Sequence, residues 1–365
     1  MSIILFIVIL AVLVISHEFG HFIVARAFGV RVDEFGFGYP PRLAKLFKKG
    51  DTEYTLNWLP FGGFVKIFGE NPDDENTNGP DKARSFVHKP KWQQALILVA
   101  GVVANFVLAW ILISISFMSG SPASTASVPS GTTITDAELV ILDVTKGSPA
   151  ENAGLVVGDS ISAIQSGNEK VNNPTPDGLR AFIAKHGTNN LTLYLKDEGA
   201  ERIVTVTPVM SEGANVPIIG IQMDQVGIVK LSFFKALGYG FTESVHMTGA
   251  IAVSLFDLVK NAVVGKADFS QITGPVGIVG IVGDAAKFGF IYLLSFTALI
   301  SLNLAVINLI PFPALDGGRL LFIVIEKIKG SRIKPQVANW LNTIGFGLLI
   351  LLMLVVTYHD IVKLF

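Results

Sequence analysis

Three residues near the start of the chain could carry out hydrolytic chemistry together: His17, Glu18 and His21, in the run His17-Glu18-Phe19-Gly20-His21. On a helix, positions i and i+4 project from one face a single turn apart, so the two imidazoles point the same way. That spacing suits two ligands of a tetrahedral zinc ion, and the Glu18 carboxylate beside them is placed to act as general base. The chain has no cysteine, so thiolate ligands and disulfides are excluded and any further ligand must be His, Asp or Glu. The element that carries the motif is unusual. Residues 3–15 contain no polar side chain, and apolar residues resume at 22–25. As a helix, the run from residue 2 to residue 25 reaches about 36 Å, enough to cross a bilayer. A carboxylate inside such a segment costs about 2.5–3.5 kcal/mol on insertion scales, which makes Glu18 a functional candidate by default. Two packing histidines and a stray glutamate in a buried helix are the weaker reading.

Composition places the motif in context. Half of the 365 residues are hydrophobic and 16% are charged, where a soluble domain averages about 25% charged. A polytopic membrane protein follows. The net charge of −1 gives no sign of a nucleic-acid partner or of a polybasic membrane patch. The N-terminal run is too long for a signal-peptide core, lacks a basic flank and contains the motif, so it is expected to be retained. Residues 95–118, 288–310 and 338–358 are also long and apolar enough to span. Between the first two spans, residues 26–94 hold eleven Lys and Arg, which puts this loop in the cytoplasm and the N-terminus outside. The basic link at 327–334 is expected on the same side. The expected fold is therefore a polytopic α-helical membrane protein with four transmembrane helices and extracytoplasmic N- and C-termini.

Within the first loop, residues 53–59 and 63–68 are rich in β-formers and flank Pro60-Phe61-Gly62-Gly63, which reads as a membrane-associated β-hairpin. A free edge there, marked by Gly62, Gly63 and Phe64, could hold an extended substrate strand by β-addition; an ordinary surface hairpin fits the residues equally well. Residues 72–91 read as polar and irregular, with Asp73, Asp74 and Glu75 solvated. In the second span, Gly101 and Ala104 permit close helix packing, and Asn105 reads as a packing residue rather than a chemical one. From 119 to about 225 the composition changes to that of a soluble α+β domain, with strands at 139–144, 190–196, 202–209 and 217–223 and a helix at 176–186. Residues 231–264 carry Lys235, Glu243, His246 and Asp257 and read as an interfacial helix. Gly274-Pro275-Val276-Gly277 then breaks the chain before the third span. The expected division is 1–118 and 287–365 as two halves of a membrane core, 119–226 as the inserted domain, and 227–286 as a connector.

The third span ends in Asn308-Leu309-Ile310-Pro311-Phe312-Pro313-Ala314-Leu315-Asp316-Gly317. The prolines end regular helix, which places Asp316 on irregular chain at the cytoplasmic end of the span. The histidine motif also lies past the middle of its helix toward that side. His17, His21 and Asp316 would then meet, and two histidines with one carboxylate leave a fourth zinc position for water.

With these pieces in order along the chain, the sequence resembles the site-2 protease family of intramembrane zinc metalloproteases, in its bacterial regulator-type branch. The matching stretches are the His17–His21 motif, Gly62-Gly63, Gly101 with Asn105, Gly274-Pro275-Val276-Gly277, and Asn308 through Gly317. Residues 146–161, with Gly154-Leu155-Val156-Val157-Gly158-Asp159-Ser160-Ile161, resemble a PDZ domain of the bacterial protease type. The resemblance implies His17, His21 and Asp316 as zinc ligands, Glu18 as the base, and Asn308 as a contact to substrate or to the oxyanion. It also implies a place in the bacterial inner membrane and single-pass membrane substrates trimmed beforehand by another protease, such as anti-sigma factors or signal-peptide remnants. A peptide at the PDZ-like domain, or a steric filter there, is a further expectation. Val102 departs from the proline that the family often has after Gly101, and one PDZ-like unit is present rather than two. The main rival is a zinc-binding, PDZ-bearing membrane scaffold without proteolytic activity, which would have no need of Glu18. A transporter is disfavoured by the absence of an inverted repeat, and a different zinc protease using Glu243 by topology.

Overall fold

A computed structural model describes the chain except for residues 72–73, 129–131, 198–199, 212–215, 266–272 and 363–365. Pro72 and Asp73 of the polar stretch thus lie outside the described residues. The first part of the chain forms helix α1 (Ser2–Ala27), strands β1 (Val32–Lys49) and β2 (Thr52–Ile67), the short helix α2 (Asp74–Asn78) and helix α3 (Lys91–Ser119). The inserted part forms β3 (Ser121–Ser124), β4 (Thr133–Val144), α4 (Pro149–Asn152), β5 (Ser160–Ser166), β6 (Glu169–Asn172), α5 (Pro176–His186), β7 (Leu191–Asp197), β8 (Ala200–Val206), β9 (Val209–Met210), β10 (Pro217–Ile218) and β11 (Ile221–Lys230). The last part is helical: α6 (Phe233–Val263), α7 (Pro275–Phe288), α8 (Phe290–Leu309), α9 (Asp316–Lys329) and α10 (Pro335–Val362). Two compact units result, one of Met1–Ser116 with Gly240–Phe365, the other of Phe117–Tyr239.

In the first unit, α1, α3, α8 and α10 are each long and apolar enough to cross a membrane. The mean hydropathy of α1 reaches 2.6, yet Ile3, Ile4, Val8, Val12, Ile15, Phe19 and Ile23 stay exposed on it. A helix apolar all round with so much of that surface bare fits a lipid surround. Inward, Ile9 and Leu13 pack with Val282, Leu108, Leu293 and Ile300. Nearer the motif, Phe22, Ala25, Val32, Val65, Ile97, Leu98 and Ile323 form one buried cluster that ties α1 to the sheet, α3 and α9.

Three sequence expectations need correction here. The segments 53–59 and 63–68 do not pair with each other. Residues 53–59 and 63–67 both belong to β2 and both face β1: Glu34–Phe37 lie opposite Glu53–Leu56 and also opposite Gly63–Lys66, while the hairpin turn falls at Gly50-Asp51. Gly62, at φ +104°, is part of the bend that lets β2 fold around β1. The reason is that β1 itself supplies Val32, Phe35 and Phe37, apolar partners that outcompete direct pairing of two short arms. Second, Gly274-Pro275 does not merely break the chain. It starts α7, with Pro275 in the first helical positions. The buried Asp360 of α10 caps that helix, accepting from the backbone N–H of Gly274 at 3.0 Å and of Gly277 at 2.9 Å. Third, the polar stretch before α3 is partly ordered, with α2, two short 3-10 turns and Phe86 buried.

The second unit is built on a sheet of order β3-β11-β4-β5-β7-β8, with β6 paired to β5. The central strand β5 was not foreseen, because Ser160, Ser162 and Ser166 dilute its apolar signal. Helix α5 buries Leu179, Phe182 and Ile183 in a core with Leu139, Ile141, Ile164, Leu191, Leu193 and Leu195. The glycine-rich motif has a local logic. Ser148 caps α4 by accepting from Glu151 N–H, Leu155 and Ile161 enter the core, and Asp159 closes the loop by accepting from Val156 N–H at 2.9 Å.

Candidate metal centre

Helix α1 presents His17 and His21, and the first residue of α9 presents Asp316. His17 Nε2 lies 3.0 Å from Asp316 Oδ2, His21 Nε2 lies 3.3 Å from the same oxygen, and the two Nε2 atoms are 3.1 Å apart. Ligand distances of 2.0–2.2 Å around a tetrahedral zinc imply edges of about 3.3–3.6 Å, close to this triangle. Three such lone-pair atoms repel one another unless a cation or shared protons stand between them. His, His and carboxylate are moreover a donor set that zinc takes. The residues present therefore fit the ion.

The ring orientations are set by α3. His21 Nδ1 lies 2.7 Å from the Ile97 carbonyl oxygen, which can only accept, so Nδ1 carries the proton and Nε2 offers its lone pair. His17 Nδ1 faces the side-chain amide of Asn105 at 3.5 Å. Close approach of the helices makes these contacts. A Cβ on Gly101 would sit 2.7 Å from His21 Cε1 and 2.8 Å from His17 Cε1, and one on Gly20 would sit 2.8 Å from the Ala104 Cβ. Only glycine fits at either place.

Asp316 sits not on irregular chain, as its flanking prolines suggested, but in the first turn of a helix. The irregular part is the preceding loop, where Ala314 adopts φ +77° and its N–H donates to Asn342 Oδ1 on α10 at 3.2 Å. Gly317 and Gly318 bring α9 against the backbone carbonyls of Ile310 and Phe312, where a side chain would collide. Arg319 pairs with Glu70, just beyond β2, and Glu326 pairs with Lys91 at the start of α3. Glu18 lies beside the sheet, near Val65 of β2. Gly62 and Gly63 are buried, and a Cβ on Gly63 would sit 3.5 Å from a Val14 methyl of α1. Phe64 and Asn308 are half-buried, the latter in the last turn of α8. Ile97, Arg319 and Asn342 were not anticipated. An amide and an arginine leave a sequence signal, but a helix carbonyl leaves none.

Comparison with known proteins gives the family. The chain matches the model of peptidase family M50 over residues 5–352. It is 34% identical, over 99% of its length and 97% of the relative's, to a Clostridium acetobutylicum protein named as a zinc metalloprotease. The zinc metalloprotease RasP of Geobacillus kaustophilus is 30% identical over all of this chain and 98% of its own. The regulator of sigma-W protease RasP of Bacillus subtilis is 29% identical over all of this chain and 99% of its own. From the family match along nearly the whole chain, together with a His-Glu-x-x-His helix meeting Asp316, it follows that the chain belongs to peptidase family M50, the site-2 protease family of metallopeptidases.

Proposed function

We propose that the protein is a zinc endopeptidase that hydrolyses peptide bonds in or near the transmembrane segments of single-pass membrane proteins. The observation that carries this reading is the triangle of His17, His21 and Asp316 with Glu18 on an otherwise apolar spanning helix. His17, His21 and Asp316 would hold the ion. Zinc bound there supplies Lewis acidity, polarising the scissile carbonyl and acidifying water to a pKa of about 7. Glu18 takes the proton of the attacking water as its oxygen adds to the carbonyl carbon, and returns it to the amine nitrogen as the C–N bond breaks. Asn308 would donate its amide N–H to substrate or to the oxyanion. Among the described residues the strand segment Gly63–Ile67 pairs with β1 alone, as an outer strand of its sheet, and passes near Glu18. This favours addition of an unwound substrate strand there, with Gly62, Gly63 and Phe64 at the point of entry.

The loop charge asymmetry supports a site on the cytoplasmic side, with both termini and the inserted domain outside, and the family and the apolar helices support the bacterial inner membrane as its place. The inserted sheet domain would be PDZ-like and bind a peptide or filter substrates by size. Substrates would be pre-trimmed single-pass chains such as anti-sigma factors or signal-peptide remnants, a reading supported by membership of the site-2 protease family.

The test is cleavage of single-pass model substrates in detergent by wild type, Glu18→Gln and Asp316→Asn, with zinc measured on each. Loss of cleavage in Glu18→Gln by about 10²-fold or more with zinc retained, and weakened zinc in Asp316→Asn, are expected. Undiminished cleavage by Glu18→Gln would refute the mechanism. Bound zinc with no cleavage of any substrate would favour the scaffold.

A further inference from the structure

Asn105 is fully buried, and its Oδ1 is one of four buried side-chain atoms without a hydrogen-bond partner among the described residues. The other end of the same amide, Nδ2, stands 3.5 Å from His17 Nδ1. Amide oxygen and nitrogen occupy equivalent positions, so which of them faces the ring is decided by the ring's own protonation. If His17 gives Nε2 to a cation, Nδ1 must carry the proton. An N–H then faces the amide, and only oxygen can receive it.

From this geometry we infer that Asn105 is a positioning residue of the metal centre: its amide turns Oδ1 toward His17 Nδ1–H and fixes the tautomer and ring plane that His17 needs as a ligand. The inference rests on the zinc reading of His17, His21 and Asp316. The neighbouring histidine already shows the same device, with the Ile97 carbonyl 2.7 Å from His21 Nδ1. Residues 97 and 105 are eight apart on α3, hence on one face. One helix thus supplies an acceptor to each imidazole. The backbone at Asn105 is held independently, since the Ser301 hydroxyl donates to its carbonyl oxygen at 2.8 Å and the Ser16 hydroxyl to that of Ala104 at 3.3 Å.

The experiment measures zinc affinity of the full-length protein in detergent by chelator competition, for wild type, His17→Ala, Asn105→Leu, Asn105→Asp and Ser301→Ala. Histidine 15N spectra, tractable with six histidines, report the His17 tautomer. Asn105→Leu, close in shape but without an acceptor, is expected to weaken zinc by about 10–100-fold and to lose the Nδ1–H signature. Asn105→Asp, which keeps an acceptor in either orientation, is expected to retain both. Ser301→Ala should leave zinc affinity near wild type. Wild-type affinity and tautomer in Asn105→Leu would overturn the inference, as would equal weakening in Ser301→Ala, which would mark general loosening of α3. Should Asn105→Leu fail to fold, weakened zinc in a folded Asn105→Asp would overturn it as well. If His17→Ala binds zinc like wild type, the ligand assignment itself fails, an outcome distinct from failure of the Asn105 role.

Discussion

At Gly101, α3 leaves no room for a side chain beside either imidazole. Replacement of this glycine by alanine puts a methyl inside contact distance of His17 and His21, and neither ring can retreat without leaving Asp316. Gly101→Ala should therefore lower turnover by about 10²-fold and weaken zinc, because displacements of about 1 Å at a reacting centre have that effect. Gly249→Ala on α6, where a Cβ meets nothing within 4 Å, is the control and should leave both unchanged. Equal loss in the two variants, measured as zinc content and cleavage rate, would show that the effect is not steric. The logic is the same at Gly20: small residues between α1 and α3 let buried polar groups reach one another.

At the level of elements, the site is held by contacts made far along the chain. Helix α9 delivers Asp316 because the loop before it is pinned by Asn342 and because Arg319 and Glu326 pair with Glu70 and Lys91. Helix α7 depends on Asp360 in the same way. Asp360→Ala strands the N–H groups of Gly274 and Gly277, and thermal unfolding in detergent should show a loss of about 1–3 kcal/mol. Asp360→Asn, which keeps one acceptor oxygen, should recover part of it. No difference between the alanine variant and wild type would mean that other groups satisfy the α7 terminus.

For the whole molecule, the division into two units makes a separate statement possible about each. Phe117–Tyr239 has its own core around Ile141, Ile164 and Leu193, so a fragment of these residues should fold alone, with a cooperative thermal transition and dispersed amide resonances. Its acid limb has a definite sign. Hydrogen bonds from Lys196 and then Ser160 hold the Glu138 carboxyl below the ordinary glutamate range. The stability this adds is present above the unfolded value near 4.3 and is lost as pH falls through the lower folded value. The pair is largely exposed, so the effect should stay under about 1 kcal/mol, and Glu138→Gln should flatten that part of the fragment's pH profile. An unchanged slope in the variant would assign the acid sensitivity to other carboxylates.

What the sequence determined by itself were the properties that local pattern encodes. A 3.6-residue period puts His17 and His21 on one face, four apolar runs are long enough to span, and the prolines after Asn308 must end a helix. Each follows from spacing and composition within a few turns of chain. Tertiary structure decided the rest. Only long-range packing brings Asp316 across 299 residues to the histidines, inserts Glu34–Phe37 between the two halves of β2, turns Gly274-Pro275 into a capped helix, and sets Ile97 and Asn105 behind the imidazoles. Those arrangements depend on which distant groups can satisfy one another once water is excluded, and no window of neighbouring residues carries that information.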